Sequence, residues 1–165
     1  MKKVFISLLL ALCPLMVFAQ QKVALVNSQE ILTSMQESKD AQTRLQELDQ
    51  KYTKELQTMQ DEYTKKTEQF VNEQAGLSDA IKKSRQQELI DMQNRIQQSA
   101  NVMQQDIQKQ QEALFAPIQQ KVSEAIKKVS EAEGITYVVD STLMLYVGKG
   151  AIDITPKIKA QLGIK

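Results

Sequence analysis

Asp140 and Asp153 are the two carboxylates of this sequence placed where an acid–base pair could be sought, and their neighbours argue against that use. Asp140 closes an apolar run and reads as a strand-end turn residue, while Asp153 belongs to the approach to a helix cap at Thr155. The wider catalytic repertoire is thin. The chain has no histidine, no tryptophan and only five glycines, which removes most metal sites, histidine-activated nucleophiles and glycine-rich phosphate cradles. Its one cysteine, Cys13, lies inside an apolar N-terminal run, so the exported part would have neither disulfides nor thiolate chemistry. The expectation is a protein that is not an enzyme and uses no cofactor and no metal.

Residues 1–19, "MKKVFISLLLALCPLMVFA", have Lys2 and Lys3, a short apolar run, and Val17 and Ala19 at the positions of a cleavage signal. This is the pattern of a cleaved secretory signal peptide, because the run is too short for a membrane anchor and no second one follows. Cys13 raises the alternative of a lipidated cysteine, against which Leu12 stands where such signals usually carry a small residue. After cleavage 19 basic and 20 acidic residues remain, a net charge of −1. A charge so nearly balanced gives no support for nucleic-acid binding, which needs a clustered basic surface. Lys82, Lys83 and Arg85 form a small basic cluster that reads as a solvated helix face.

Two apolar stripes must position whatever the chain binds. Leu45, Leu48, Tyr52, Leu56, Met59, Tyr63 and Phe70 recur at steps of three and four, with one double step, and draw a narrow seam along a helix. A second seam runs from Ile81 through Leu89, Met92, Ile96, Met103, Ile107, Leu114 and Ile118 to Val129. Between them, Gly76 is expected to end one helix in the left-handed conformation, with Ser78 or Asp79 capping the next. Helices joined so tightly lie antiparallel. One long helix that tolerates a glycine, at about 1 kcal/mol, is the alternative, and the order of stop and then start favours the turn. Pro117 should kink or break the returning helix. From Ser78 to Pro117 is about 60 Å at 1.5 Å per residue, and the same count back from Gly76 reaches Glu37, so the two arms match.

The remaining residues read as a base. "KVALVN" (22–27) reads as a strand, followed by a helix start near Ser28, and "ITYVVD" (135–140) and "LMLYVG" (143–148) read as two further strands. Residues 153–164 form a short helix with Thr155 as cap and Pro156 at its start. The fold class expected is therefore mostly α, a long antiparallel helical hairpin projecting from a small strand-built α+β base. Its divisions are residues 20–36, the arm 37–116 with its tip at 75–79, and residues 117–165. So small a base is marginal alone, and its strand edges invite pairing with further copies.

In "KVALVNSQEIL", the tip "AGLSD", "YVVDSTLMLY" and the closing "DITPKIKAQL", the sequence resembles the Skp/OmpH family of periplasmic chaperones over essentially the whole chain beyond residue 19. The resemblance implies a homotrimer whose strands assemble a small body. Its helical arms would enclose a cavity that holds unfolded outer-membrane proteins before insertion, with peripheral contact to membrane or lipid a further family property. Residues 37–112 carry 11 basic and 14 acidic residues, so this arm lacks the strongly basic character of some members and no lipopolysaccharide site is carried over.

The function expected is that of an ATP-independent periplasmic holdase. Its client contacts would be Tyr52, Met59, Tyr63, Phe70, Met92 and Met103, since methionine and aromatic side chains adapt to varied partners and many weak contacts add up. Val138 and Leu145 are expected to face the strand-built core or the oligomer interface. A structural coiled-coil protein of the envelope is the alternative; it would explain the arms but not the strand-built base.

Overall fold

The computed structural model describes residues 22–164. The signal peptide expected at 1–19, with Cys13, lies outside them. Strand β1 (Val23–Val26) leads into helix α1 (Ser28–Ser34), the long helices α2 (Gln36–Glu73) and α3 (Asp79–Glu133), strand β2 (Tyr137–Asp140), the two-residue strand β3 (Ile152–Asp153) and helix α4 (Thr155–Gln161). At 1.5 Å per residue, the 38 residues of α2 span about 57 Å and the 55 of α3 about 82 Å. The surplus of α3 lies at its C-terminal end, where it runs down into the base.

Helix α1 begins where Asn27 accepts a hydrogen bond from the Glu30 backbone N–H at 2.9 Å. It stops at Met35, whose extended backbone separates it from α2. The sheet has the order β2-β1-β3 and is parallel throughout, with Val23 opposite Tyr137 and Ala24 opposite Ile152. Parallel neighbours need a long crossover; between β1 and β2 that crossover is the entire arm. The core forms where sheet, short helices and the root of α3 meet. Ala24 and Val26 from β1, Ile31 from α1, Val122 and Val129 from α3, and Ile154 and Ile158 near the C-terminus are all buried in it.

Three turn readings are corrected by the backbone. The hairpin does turn at 74–78, but Gly76 sits in a single 3-10 turn (Gln74–Gly76) without the left-handed conformation, and no side chain of Ser78 or Asp79 caps α3. Leu77 and Ser78 make the reversal in extended conformation, a route open to any residue. The left-handed glycines are instead Gly163 (φ 73°), after α4, and Gly134 (φ 62°), which ends α3 while Ile135 N–H donates to Ser130 C=O at 2.9 Å. At α4 the cap position is Ile154, and Asp153 accepts from the Thr155 N–H at 2.9 Å. The Thr155 hydroxyl accepts from the backbone N–H of Asn27, also at 2.9 Å, and so ties the two ends of the chain together.

Pro117 does not break α3, which runs through it without interruption. One helical hydrogen bond is lost there, but Ile118 and Val122 immediately beyond are buried in the core, and that packing holds the helix together. Residues 143–148 are not a strand. Ser141–Leu143 form a 3-10 turn and Met144 continues in extended conformation without a partner. Both edges of β1 are taken by β2 and β3, and the segment pairs with neither outer edge of the sheet among the described residues.

The Ser28 hydroxyl donates to the Asp140 carboxylate, as do the Thr142 backbone N–H and hydroxyl at 2.9 and 2.7 Å. These bonds, that from Ser28 foremost, hold the Asp140 carboxyl below the ordinary aspartate range, against the opposing effect of burial. A depressed folded value gives stability that is present above the unfolded value of about 3.9 and is lost as pH falls through the folded one. Asp140→Asn is therefore expected to cost about 1–2 kcal/mol at pH 7, and that deficit should shrink as the pH drops below 4. Urea midpoints at pH 7 and pH 3 measure both effects; an equal deficit at the two would show that the charge plays no part.

Candidate functional site

The arm is two helices thick, so its seam is only partly shielded. Tyr52, Met59, Tyr63 and Phe70 on α2 and Met103 on α3 are half-buried, and Met92 is buried. All six of the residues expected to hold clients thus lie on the seam, none of them on the outer face. The Tyr52 hydroxyl donates to Asp106 across the seam at 2.6 Å, and Arg85 donates to Glu73 at 3.0 Å. Lys121 pairs with Glu37 at the root with the same offset, and Lys66 pairs with Glu88 nearer the tip. A polar bond within an apolar seam favours one register over its neighbours.

The charges respond accordingly. The Asp106 carboxylate, accepting the Tyr52 proton, holds that phenol above its ordinary range. The Lys121 ammonium holds Glu37, and the Lys66 ammonium holds Glu88, below the usual carboxylate range. Arg85 and Lys82 are engaged locally, with Glu73 and Asp79, so two of the three cations of the basic cluster are paired.

Ile81, read as the first residue of the second stripe, is 47 % exposed, because α2 has already ended opposite it. Val71, Ile90 and Val102 are exposed as well, and the sequence reading missed them. Their signal was available: apolar residues out of step with the stripe.

The base carries a second apolar surface. Val23 and Tyr137, register partners, are exposed on the sheet face opposite buried Ala24, and Ile152 is exposed on the edge strand. The segment Leu143–Val147 is exposed at every residue, with Leu145 at 107 %. Val138 is half-buried and packs against the core. The structure therefore separates the two residues expected at core or interface: Val138 supports the folded chain, and Leu145 faces outward.

Among the described residues no cluster of histidine, cysteine, aspartate and glutamate is placed to hold a metal ion, and no helix is long and apolar enough to cross a membrane. Residues 22–162 match the family described as Outer membrane protein (OmpH-like). The chain belongs to this family. The OmpH-like fold recurs in the crystal structure of a "putative outer membrane chaperone (OmpH-like)" from Caulobacter crescentus CB15, with a TM-score of 0.75 at 17 % identity, over 87 % of this chain and 85 % of that one. At that identity the likeness shows the fold. No curated protein sequence matches the chain.

Proposed function

We propose that this OmpH-like protein is an ATP-independent holdase, exported to the periplasm, that assembles as a homotrimer and keeps unfolded outer-membrane proteins from aggregating between its arms. The observation that carries this reading is the half-exposed apolar seam along the length of the arm. Such a surface offers many weak contacts, each too small to draw two copies of the protein together, which together hold an extended apolar segment. The exposed strip Leu143–Val147 and the outer sheet face around Tyr137 supply the contact between copies, and the unpaired segment after β2 gains there the partner that it lacks in its own chain. Peripheral contact with lipid has weaker support, since residues 37–112 are net acidic.

The direct test dilutes a urea-unfolded β-barrel membrane protein into buffer without nucleotide, with and without the mature chain, and follows turbidity. Suppression near stoichiometric amounts supports the holdase; unchanged turbidity at excess would leave a structural coiled-coil protein as the better reading. The tip has a narrower role. Deleting matched helical turns on either side of residues 74–78 is expected to leave the assembly intact and to reduce the size of client protected. Sedimentation of the shortened protein as a monomer would mean that the arms, rather than the base, hold the copies together.

A further inference from the structure

Beyond Cys13 the sequence has no cysteine, and it has neither histidine nor tryptophan, so methionine is its most readily oxidised side chain. The described residues hold methionines at 35, 59, 92, 103 and 144. Met35 and Met92 are 1 % and 6 % exposed. Met59 and Met103 are half-buried and line one groove of about 420 Å³ in the middle of the arm, together with Arg95, Gln98, Ser99 and Val102. Both side chains are partly open to solvent, and the same groove holds a hydroxyl, an amide and a guanidinium, all hydrogen-bond donors.

We propose that Met59 and Met103 form a reversible oxidation site through which peroxide lowers the holding capacity of the arm. A sulfur lone pair attacks one oxygen of hydrogen peroxide, an S–O bond forms and the O–O bond breaks. The proton of the transferred oxygen passes to the departing hydroxide. The thioether is thereby oxidised to a sulfoxide and the peroxide reduced to water. The new oxygen is a strong acceptor, and Ser99, Gln98 and Arg95 stand in the groove to donate to it. The hairpin therefore keeps its fold, while the middle of its apolar lining becomes polar. At Met35, inside the core of the base, the same oxygen would enter packed surroundings, and there the reaction is slow; Met92 lines a neighbouring groove of the arm and is slowed by its 6 % exposure. Sulfoxide reductases reverse the change.

The effect on holding rests on the function proposed above; the selectivity of the modification does not. The experiment treats the assembled mature protein with hydrogen peroxide, maps methionine sulfoxide by peptide mass spectrometry over time, and follows helicity and client protection on the same samples. Met59 and Met103 are expected to react roughly tenfold faster than Met35 and Met92. Helicity should hold, protection should fall several-fold, and the two methionine sulfoxide reductases together should restore it. Peroxide should lower the protection given by the M59L/M103L protein, which keeps Met144, by a much smaller factor than that of the wild type, each read against its own untreated sample. The inference is overturned if Met92 or Met35 reacts as fast as the pair, if helix is lost as the pair oxidises, or if M59L/M103L loses protection as the wild type does. Failure of the untreated protein to protect any client would instead sink the holdase reading, and the oxidation map would still decide whether the site exists.

Discussion

Leu145→Asp is expected to leave each chain folded and to abolish its self-association. Leu145 packs on nothing within its own chain, so the charge costs the monomer little. In an assembly that covers the Leu143–Val147 strip, an unpaired carboxylate would be stranded in apolar surroundings at a cost of several kcal/mol, enough to dissociate it. Val138→Asp should behave differently. Its side chain lies against the core cluster, so the charge is placed inside the folded chain, and unfolding of the base accompanies loss of assembly. Sedimentation paired with thermal melting separates the two outcomes. A Leu145→Asp protein that sediments like the wild type would mean that the copies meet elsewhere.

The second large effect is expected from replacing Met59, Tyr63, Met92 and Met103 together by glutamine. Met92 is buried, so its loss alone should cost about 2–5 kcal/mol, and the three half-buried positions less. Protection of clients should fall further than the melting temperature accounts for, which is why both must be read on the same variant. A matched variant with Val71 and Ile90 changed to glutamine tests the outer face at little cost in stability. If that one abolishes protection and the seam variant does not, clients lie on the outside of the arm. Because residues 37–112 are net acidic and two cations of the tip cluster are paired locally, capture is expected to change little with salt. A client dissociation constant rising steeply between low and high ionic strength would put unpaired cations such as Lys83 in control.

The hairpin was legible because its signal is periodic. Leu45, Leu48, Tyr52 and Leu56 on one side and Met92, Ile96 and Met103 on the other repeat often enough to override any single misplaced residue. The strands at 23–26 and 137–140 were legible from their β-branched run, bounded by Asn27 and Asp140. "LMLYVG" is as apolar but has a single β-branched residue, Val147, and forms no strand, because composition reports fitness for a pleated surface and not the presence of a partner. Single-residue signals fared worst. Gly76 and Gly134 both follow helical runs, yet of the two only Gly134 takes the left-handed conformation. Ile81 was assigned to the seam although its partner helix has ended, and Val71, Ile90 and Val102, out of step with both stripes, were passed over.

Strand β1, the first described element of the chain, lies at the centre of the sheet, and both of its neighbours come from near the other end. The Asn27–Thr155 hydrogen bond spans 128 residues of sequence. A chain exported N-terminus first must therefore carry β1 unpaired until the last thirty or so residues have crossed, whereas the hairpin needs only local contacts and can zip as soon as α3 follows α2 through. Closing a loop of that length is slow compared with forming a hairpin. In a chain exported and assembled as proposed, the order of maturation would follow from the topology: arms first, base second, and self-association last. A translocating chain would already display its seam residues before it could join its partners, so any interruption of export near residue 140 would release an arm with no body to anchor it.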